Sequence, residues 1–156
     1  MQPFGPAVLR LGAGVIFVAH GAQKLFGVWG GGGPSGTADL FAQHGLAPAY
    51  PLALAAGVLE FAGGLMLIAG ALTLLVALAL SAIVAGVTTV HLPHGLFLNW
   101  TNTPGQWHGY EFSFLLIGAL VSLMLTGPGA FSVDGRRARS EEAAAAGRAR
   151  LRAGHV

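Results

Sequence analysis

Cysteine is absent from the 156 residues. That excludes disulfides, thiolate metal sites and thiol redox chemistry within the chain itself. Charge is scarce as well. Charged residues make up 9% of the sequence, against roughly 25% in soluble domains, while hydrophobic residues make up 54%. This shortfall sets the class as an integral membrane protein. No basic run precedes the first apolar stretch, and Arg10 falls where the centre of a signal peptide would be uncharged, so the first segment is expected to be a retained span. The glycine run Gly30 to Gly33 lacks a following Lys-Ser/Thr and is not a phosphate loop. It is expected to be part of a flexible outer loop, Trp29 to Gly36.

The apolar stretches supply the architecture. The stretch from Pro51 to Val90 is about twice the ~20 residues that cross a bilayer, and it divides at Gly70-Ala71. Spans are predicted at about 6–28, 51–69, 72–91 and 109–125. Thr37 opens a short piece, Ala38 to His44, that is expected to lie at the interface and to end at Gly45 and Pro48. Pro93, Gly95, Pro104 and Gly105 make His91 to His108 a loop, in which Trp100 and Trp107 suit a membrane–water boundary. Gly127-Pro128-Gly129 ends the fourth span. Residues 1–135 therefore form a membrane domain and 136–156 a basic tail. The fold class is all-α: a four-helix membrane bundle with an interfacial helix between spans one and two.

Six of the eight basic residues lie in the tail: Arg136, Arg137, Arg139, Arg148, Arg150 and Arg152. Basic residues accumulate on the cytoplasmic side of spans, so both termini are expected in the cytoplasm. No aromatic platform accompanies the arginines, and nucleic acid is not an expected partner. Two states of the tail stay open, a surface helix on anionic lipid or a disordered segment.

Within the spans, polar groups stand out by their isolation. Glu60 has no basic partner anywhere between Pro51 and Val90. A carboxylate inside a span costs roughly 2.5–3.5 kcal/mol or more, so it faces a partner or a polar cavity. In the expected topology, Lys24 lies near the outer end of span one, with His20 one turn deeper on the same face. Glu60 lies ~14 Å below the outer start of span two at 1.5 Å per residue. His91 ends span three, and Glu111 starts span four one turn after His108. These groups converge on the outer half, whereas Arg10, near the cytoplasmic end, is expected to snorkel. Two carboxylates close together cannot both ionise cheaply unless a cation intervenes, so Lys24, Glu60 and Glu111 are candidates to hold and pass a proton. His20, Gln23, His91, His108 and Tyr110 are candidates to contact a small molecule. Proton exchange of this kind suits a quinone ring, whose reduction consumes protons along with electrons. It would also suit a proton-coupled carrier. Structural readings remain beside these: Lys24 snorkelling, a bundle-stabilising Lys24–Glu60 pair, and His91 and His94 as ordinary loop residues. His91, His94, His108 and Glu111 have the ligand types for a metal, although their spacing matches no specific motif. His44 and His155 are read as surface residues.

Several segments, in order, resemble the DoxX family. They are RLGAGVIF (Arg10 to Phe17) with HGAQKLFG (His20 to Gly27), LEFAGG (Leu59 to Gly64), HLPHGLF (His91 to Phe97), GYE (Gly109 to Glu111) and GPGAFSVD (Gly127 to Asp134). The resemblance implies a small four-helix protein of the bacterial plasma (inner) membrane. It also implies association with redox enzymes, since relatives include a membrane subunit of a thiosulfate:quinone oxidoreductase and proteins proposed to link redox partners. The positions carried over are Arg10, His20, Lys24, Glu60, His91 and Glu111. One departure is the inner turn, Gly70 to Leu75, which lacks the arginine expected in many relatives. The function expected is therefore a redox subunit that binds a quinone-like molecule and is not active alone. No cofactor motif lies in the chain, so electrons would come from a redox partner protein. The alternatives are a non-catalytic scaffold for redox enzymes and a small-solute or proton carrier. Membrane lipid is an expected partner, and small-residue faces allow a homo-oligomer.

Overall fold

The computed structural model describes residues 4–101, 104–105 and 108–153, the last two of these by backbone alone. The expectations for Trp107 and His155, and for the Arg152 side chain, lie outside what is described. Among the described residues the regular structure is wholly helical: α1 Phe4–Phe26, α2 Gly33–Gln43, α3 Ala49–Ala69, α4 Thr73–His91, α5 Glu111–Thr126 and α6 Val133–Ala153, with short 3-10 turns at Val28–Gly30 and Leu92–His94. Three helices, α1, α3 and α4, are long and apolar enough to cross a membrane; α5 is apolar but has only 16 residues.

These four apolar helices enclose one core. Ala13 and Phe17 of α1, Leu67 of α3, Val76, Ala77, Leu80 and Val84 of α4, and Leu116, Leu120 and Leu123 of α5 form a single cluster. Lipid tails are as apolar as leucine, so what holds such helices together is close packing and polar contact rather than escape from water. The α1–α3 seam shows this. A Cβ on Gly21 would lie 2.7 Å from the Phe61 Cα, a backbone atom that cannot swing aside. Phe26 and Phe61 then close the end of the seam edge to face, with ring centroids 5.5 Å apart.

The opposite end of this core is held by Arg10. The side chain is 2% exposed and does not snorkel. Its Nη1 donates to the carbonyls of Leu67 (3.2 Å) and Ile68 (2.6 Å), and its Nη2 to that of Ala130 (2.7 Å). The last carbonyls of a helix have no intrahelical partner and carry the negative end of its dipole. Arg10 supplies the Ile68 carbonyl, which a snorkelling side chain would leave bare, and adds a second donor to the Leu67 carbonyl, which also accepts from the Gly70 N–H. Gly70 makes the next turn possible. Its φ is 65°, and a Cβ there would meet the Ser132 Cβ at 2.5 Å and Arg10 Nη1 at 2.7 Å. No side chain near the start of α4 caps that helix. Asp134 does so instead, accepting from the Leu72 N–H (2.9 Å), the Thr73 N–H (2.8 Å) and the Thr73 hydroxyl (2.8 Å). Arg10 and Asp134 thus tie the ends of α3 and α5 and the starts of α4 and α6 into one clasp.

One local expectation is corrected and one left open is resolved. The glycine run is not a loose loop as far as Gly36: α2 starts at Gly33, with Pro34 in its first turn, where a missing N–H costs nothing. Gly31 is pressed against the Gln23 backbone, where a Cβ would lie 2.5 Å from the carbonyl oxygen. The tail, from its root onward, is helix rather than disordered, and it is exposed from Arg136.

Candidate functional site

At the end of the core away from Arg10, the helices leave a cavity of about 200 Å³. It is lined by Phe17, His20, Lys24, Glu60, Ile83, Val84, Val87, His91, Phe112, Ser113 and Leu116. Helical spacing explains the α1 contribution. Phe17, His20 and Lys24 are three and four residues apart and so share one face. Glu60 enters from α3, where Gly57 and Gly64 let α1 approach closely and Gly63 faces Leu80 of α4. The α4 side supplies Ile83, Val84, Val87 and His91, again at helical spacing.

Lys24 Nζ donates to Glu60 Oε2 at 2.5 Å, with the Lys24 side chain 21% exposed and that of Glu60 5%. The two partners are therefore unequal. The carboxylate is enclosed, while the ammonium sits nearer the opening and has donors to spare. His20 lies exposed at the rim beside Phe112, ring centroids 6.4 Å apart. His91 is half-buried, with its Nδ1 3.0 Å from the Val87 carbonyl. That bond makes Nδ1 the protonated nitrogen and leaves Nε2 free to accept.

The other sequence candidates lie elsewhere. Gln23 donates to the Trp29 carbonyl at 3.3 Å and braces the turn after α1. His108 Nδ1 accepts from the Asn99 N–H at 3.2 Å within the α4–α5 connection. In that connection the N–H groups of Gly109, Tyr110 and Glu111 donate to the carbonyls of Phe97, Gly95 and Leu96. This pairing sets the start of α5, and it turns Phe112 and Ser113, rather than Tyr110 or Glu111, into the cavity wall. The cavity thus unites Lys24, Glu60, His20 and His91, and does not include Gln23, His108, Tyr110 or Glu111. Among the described residues no three His, Asp or Glu side chains are placed to hold a metal, so His91, His94, His108 and Glu111 are not gathered into a site. Ser113, the polar residue of the α5 wall, was missed by sequence reasoning. Its only signal is its spacing, three residues before the buried Leu116.

The arrangement offers a hydrogen-bond donor, an acceptor and two imidazoles at one end of a largely apolar cleft. The family comparison agrees with the segments that form it. The DoxX family model matches residues 5–92, more than half of the chain. The chain belongs to the DoxX family. Its matched region carries Arg10, His20, Lys24, Glu60 and His91. The resemblances at 109–111 and 127–134 lie beyond it, as does the α5 wall of the cavity. Membership, with three apolar helices of spanning length, makes this a membrane protein associated with redox systems. Comparison with curated proteins and with solved structures returns no match.

Proposed function

We propose that this DoxX protein is the membrane-embedded subunit of a redox system and that its cavity receives the ring of a quinone-like molecule. The observation that carries the reading is the enclosed Lys24–Glu60 pair at the end of an apolar cleft of about 200 Å³. That volume falls below the roughly 300–1,000 Å³ of pockets that enclose a whole ligand, and it suits a small ring. In this reading Lys24 donates to a ring oxygen, and Glu60 holds or passes a proton with His91 or His20. Reduction of a quinone to a quinol takes two electrons and two protons. The protons pass through these side chains and the electrons come from a redox partner protein. Glu111, next in sequence to Phe112 of the cavity wall, is a secondary proton donor in this reading.

The topology belongs to the same proposal. Four spans place both termini and the arginine-rich α6 in the cytoplasm of a bacterial inner membrane, with the cavity in the outer half. The span of α5, about 24 Å at 1.5 Å per residue, is short for a ~30 Å hydrocarbon layer and is accommodated by local thinning. The test is binding of an alkyl-substituted benzoquinone to the purified protein in nanodiscs. Glu60→Gln and Lys24→Ala each weaken binding by about tenfold or more, as expected for loss of a hydrogen bond to a charged group. Unchanged affinity in both variants removes the assignment.

One observation favours a second reading. Helix α6 projects from the clasp with its surface exposed, as a scaffold for cytoplasmic redox enzymes would require. Pull-down with and without residues 136–156 separates the two. Partners lost on truncation, together with quinone affinity unaffected by Glu60→Gln, favour the scaffold.

A further inference from the structure

We infer that the ligand of this cavity carries a hydrocarbon tail, and that the tail lies in the apolar groove between α1 and α5. The inference rests on the ring-binding reading above and adds the class of ligand, a ring-headed lipid rather than a soluble ring. The groove has a volume of about 300 Å³ and is lined by Val8, Leu9, Gly12, Ala13 and Ile16 of α1 and by Phe112, Leu115, Leu116 and Ala119 of α5. It continues the cavity, because Phe112 and Leu116 line both. Its α1 wall is the same helical stripe one to three turns deeper: Leu9, Ala13 and Ile16 lead directly to Phe17, His20 and Lys24. From Val8 to Ile16 it runs about 12 Å along the helix axis.

Ordinary lipid would cover any apolar face of the bundle. Two features single out a tethered chain here. The cavity is too small for a ring and its tail together, so the tail must leave through the rim. The rim, at His20 and Phe112, is itself the α1–α5 seam. Gly12 adds a third. It faces the groove with nothing within 4 Å of where its Cβ would be, so the absent side chain is space kept open rather than space needed for helix packing. The titratable and aromatic groups stay at the upper end, and the groove walls carry no polar side chain.

The experiment compares two ligands, a tailless methoxy-benzoquinone and its decyl-substituted counterpart, binding to the full chain in nanodiscs, with concentrations referred to the bilayer so that partitioning cancels. Gly12→Leu fills the groove, Ala119→Leu fills it from the other wall, and Gly118→Leu places the same side chain at an exposed glycine of α5 that lines neither the cavity nor the groove. Expulsion of several tail carbons weakens the decyl compound by about tenfold in Gly12→Leu and in Ala119→Leu. The tailless ring is unaffected by either, and Gly118→Leu changes neither ligand. If Gly12→Leu and Ala119→Leu leave decyl binding intact while Glu60→Gln weakens both ligands, the ring site stands and the tail groove is wrong. Equal losses for both ligands in Gly12→Leu also overturn it. If neither ligand binds any form of the protein, the ring site falls and the groove assignment with it.

Discussion

Removing Lys24 should cost far more stability than neutralising Glu60, because the two partners are not equally enclosed. The Glu60 side chain is 5% exposed and that of Lys24 21%. In Lys24→Met the aliphatic stem is kept and the charge lost, which leaves a carboxylate among Phe17, Val84 and Leu116 with its cation gone. Breaking an enclosed pair in this way costs about 3–5 kcal/mol. In Glu60→Gln an acceptor remains for Nζ, and Lys24 can extend toward the rim. The loss is then about 1 kcal/mol, the difference between a charge-assisted and a neutral hydrogen bond. Replacing both together, Lys24→Met with Glu60→Gln, removes the stranded charge, so the double variant lies within about 2 kcal/mol of the wild type. The coupling energy of the cycle is therefore at least about 2 kcal/mol. Equilibrium unfolding in mixed micelles measures all four forms. If Glu60→Gln costs as much as Lys24→Met, or if the single losses add to within about 0.5 kcal/mol, the unequal-burial reasoning is wrong.

Other expectations concern the clasp and the seams. Arg10→Met strands the carbonyls of Ile68 and Ala130 at roughly 1–3 kcal/mol each before relaxation, and Arg10→Lys recovers only part of that loss because an ammonium lacks the planar fork; thermal unfolding of both variants checks the order. Asp134→Ala removes the cap of α4 and costs about 0.5–2 kcal/mol. Burial pushes the Asp134 carboxyl up, but hydrogen bonds from Thr73 and Leu72 and the nearby Arg137 more than offset it and hold its pKa below the ordinary value. Its contribution is therefore fully present above the unfolded carboxylate pKa of about 3.9 and is lost as pH falls through the lower native value; the wild type should lose stability in that acid window more steeply than Asp134→Ala. Gly21→Ala forces a methyl against the Phe61 backbone and costs about 1–3 kcal/mol, whereas Gly118→Ala, with open space at its Cβ, costs nothing measurable in the same assay.

The isolation of single charges made part of this site legible before any coordinates. Lys24 and Glu60 are 36 residues apart in the chain, yet each is nearly alone in an apolar stretch, and an intramembrane charge must find a partner. The helical boundaries followed from glycine and proline punctuation. Helix phase was less legible. Almost every position of α5 is apolar, so nothing in its sequence says whether Glu111 or Ser113 faces the cleft. That is decided by the backbone pairing of Gly95 to Phe97 with Gly109 to Glu111, a long-range contact. Arg10 was misjudged for a related reason. Its depth suggests snorkelling, and only the end of α3 folding back beside it supplies carbonyls to bind. Asp134 is a cap 61 residues from the helix it caps, beyond the reach of any local capping signal.

In the proposed function a small redox-active ring lies against the Lys24–Glu60 pair. The most direct measurement is photoaffinity labelling of the intact protein in nanodiscs with an azido-benzoquinone, followed by peptide mapping. Labels are expected on cavity residues from several helices, such as Phe17, Val87 and Ser113, competed away by unlabelled quinone and reduced in Glu60→Gln. Labels confined to α2 or α6, or labels on the cavity that neither competition nor Glu60→Gln diminishes, would contradict the proposal.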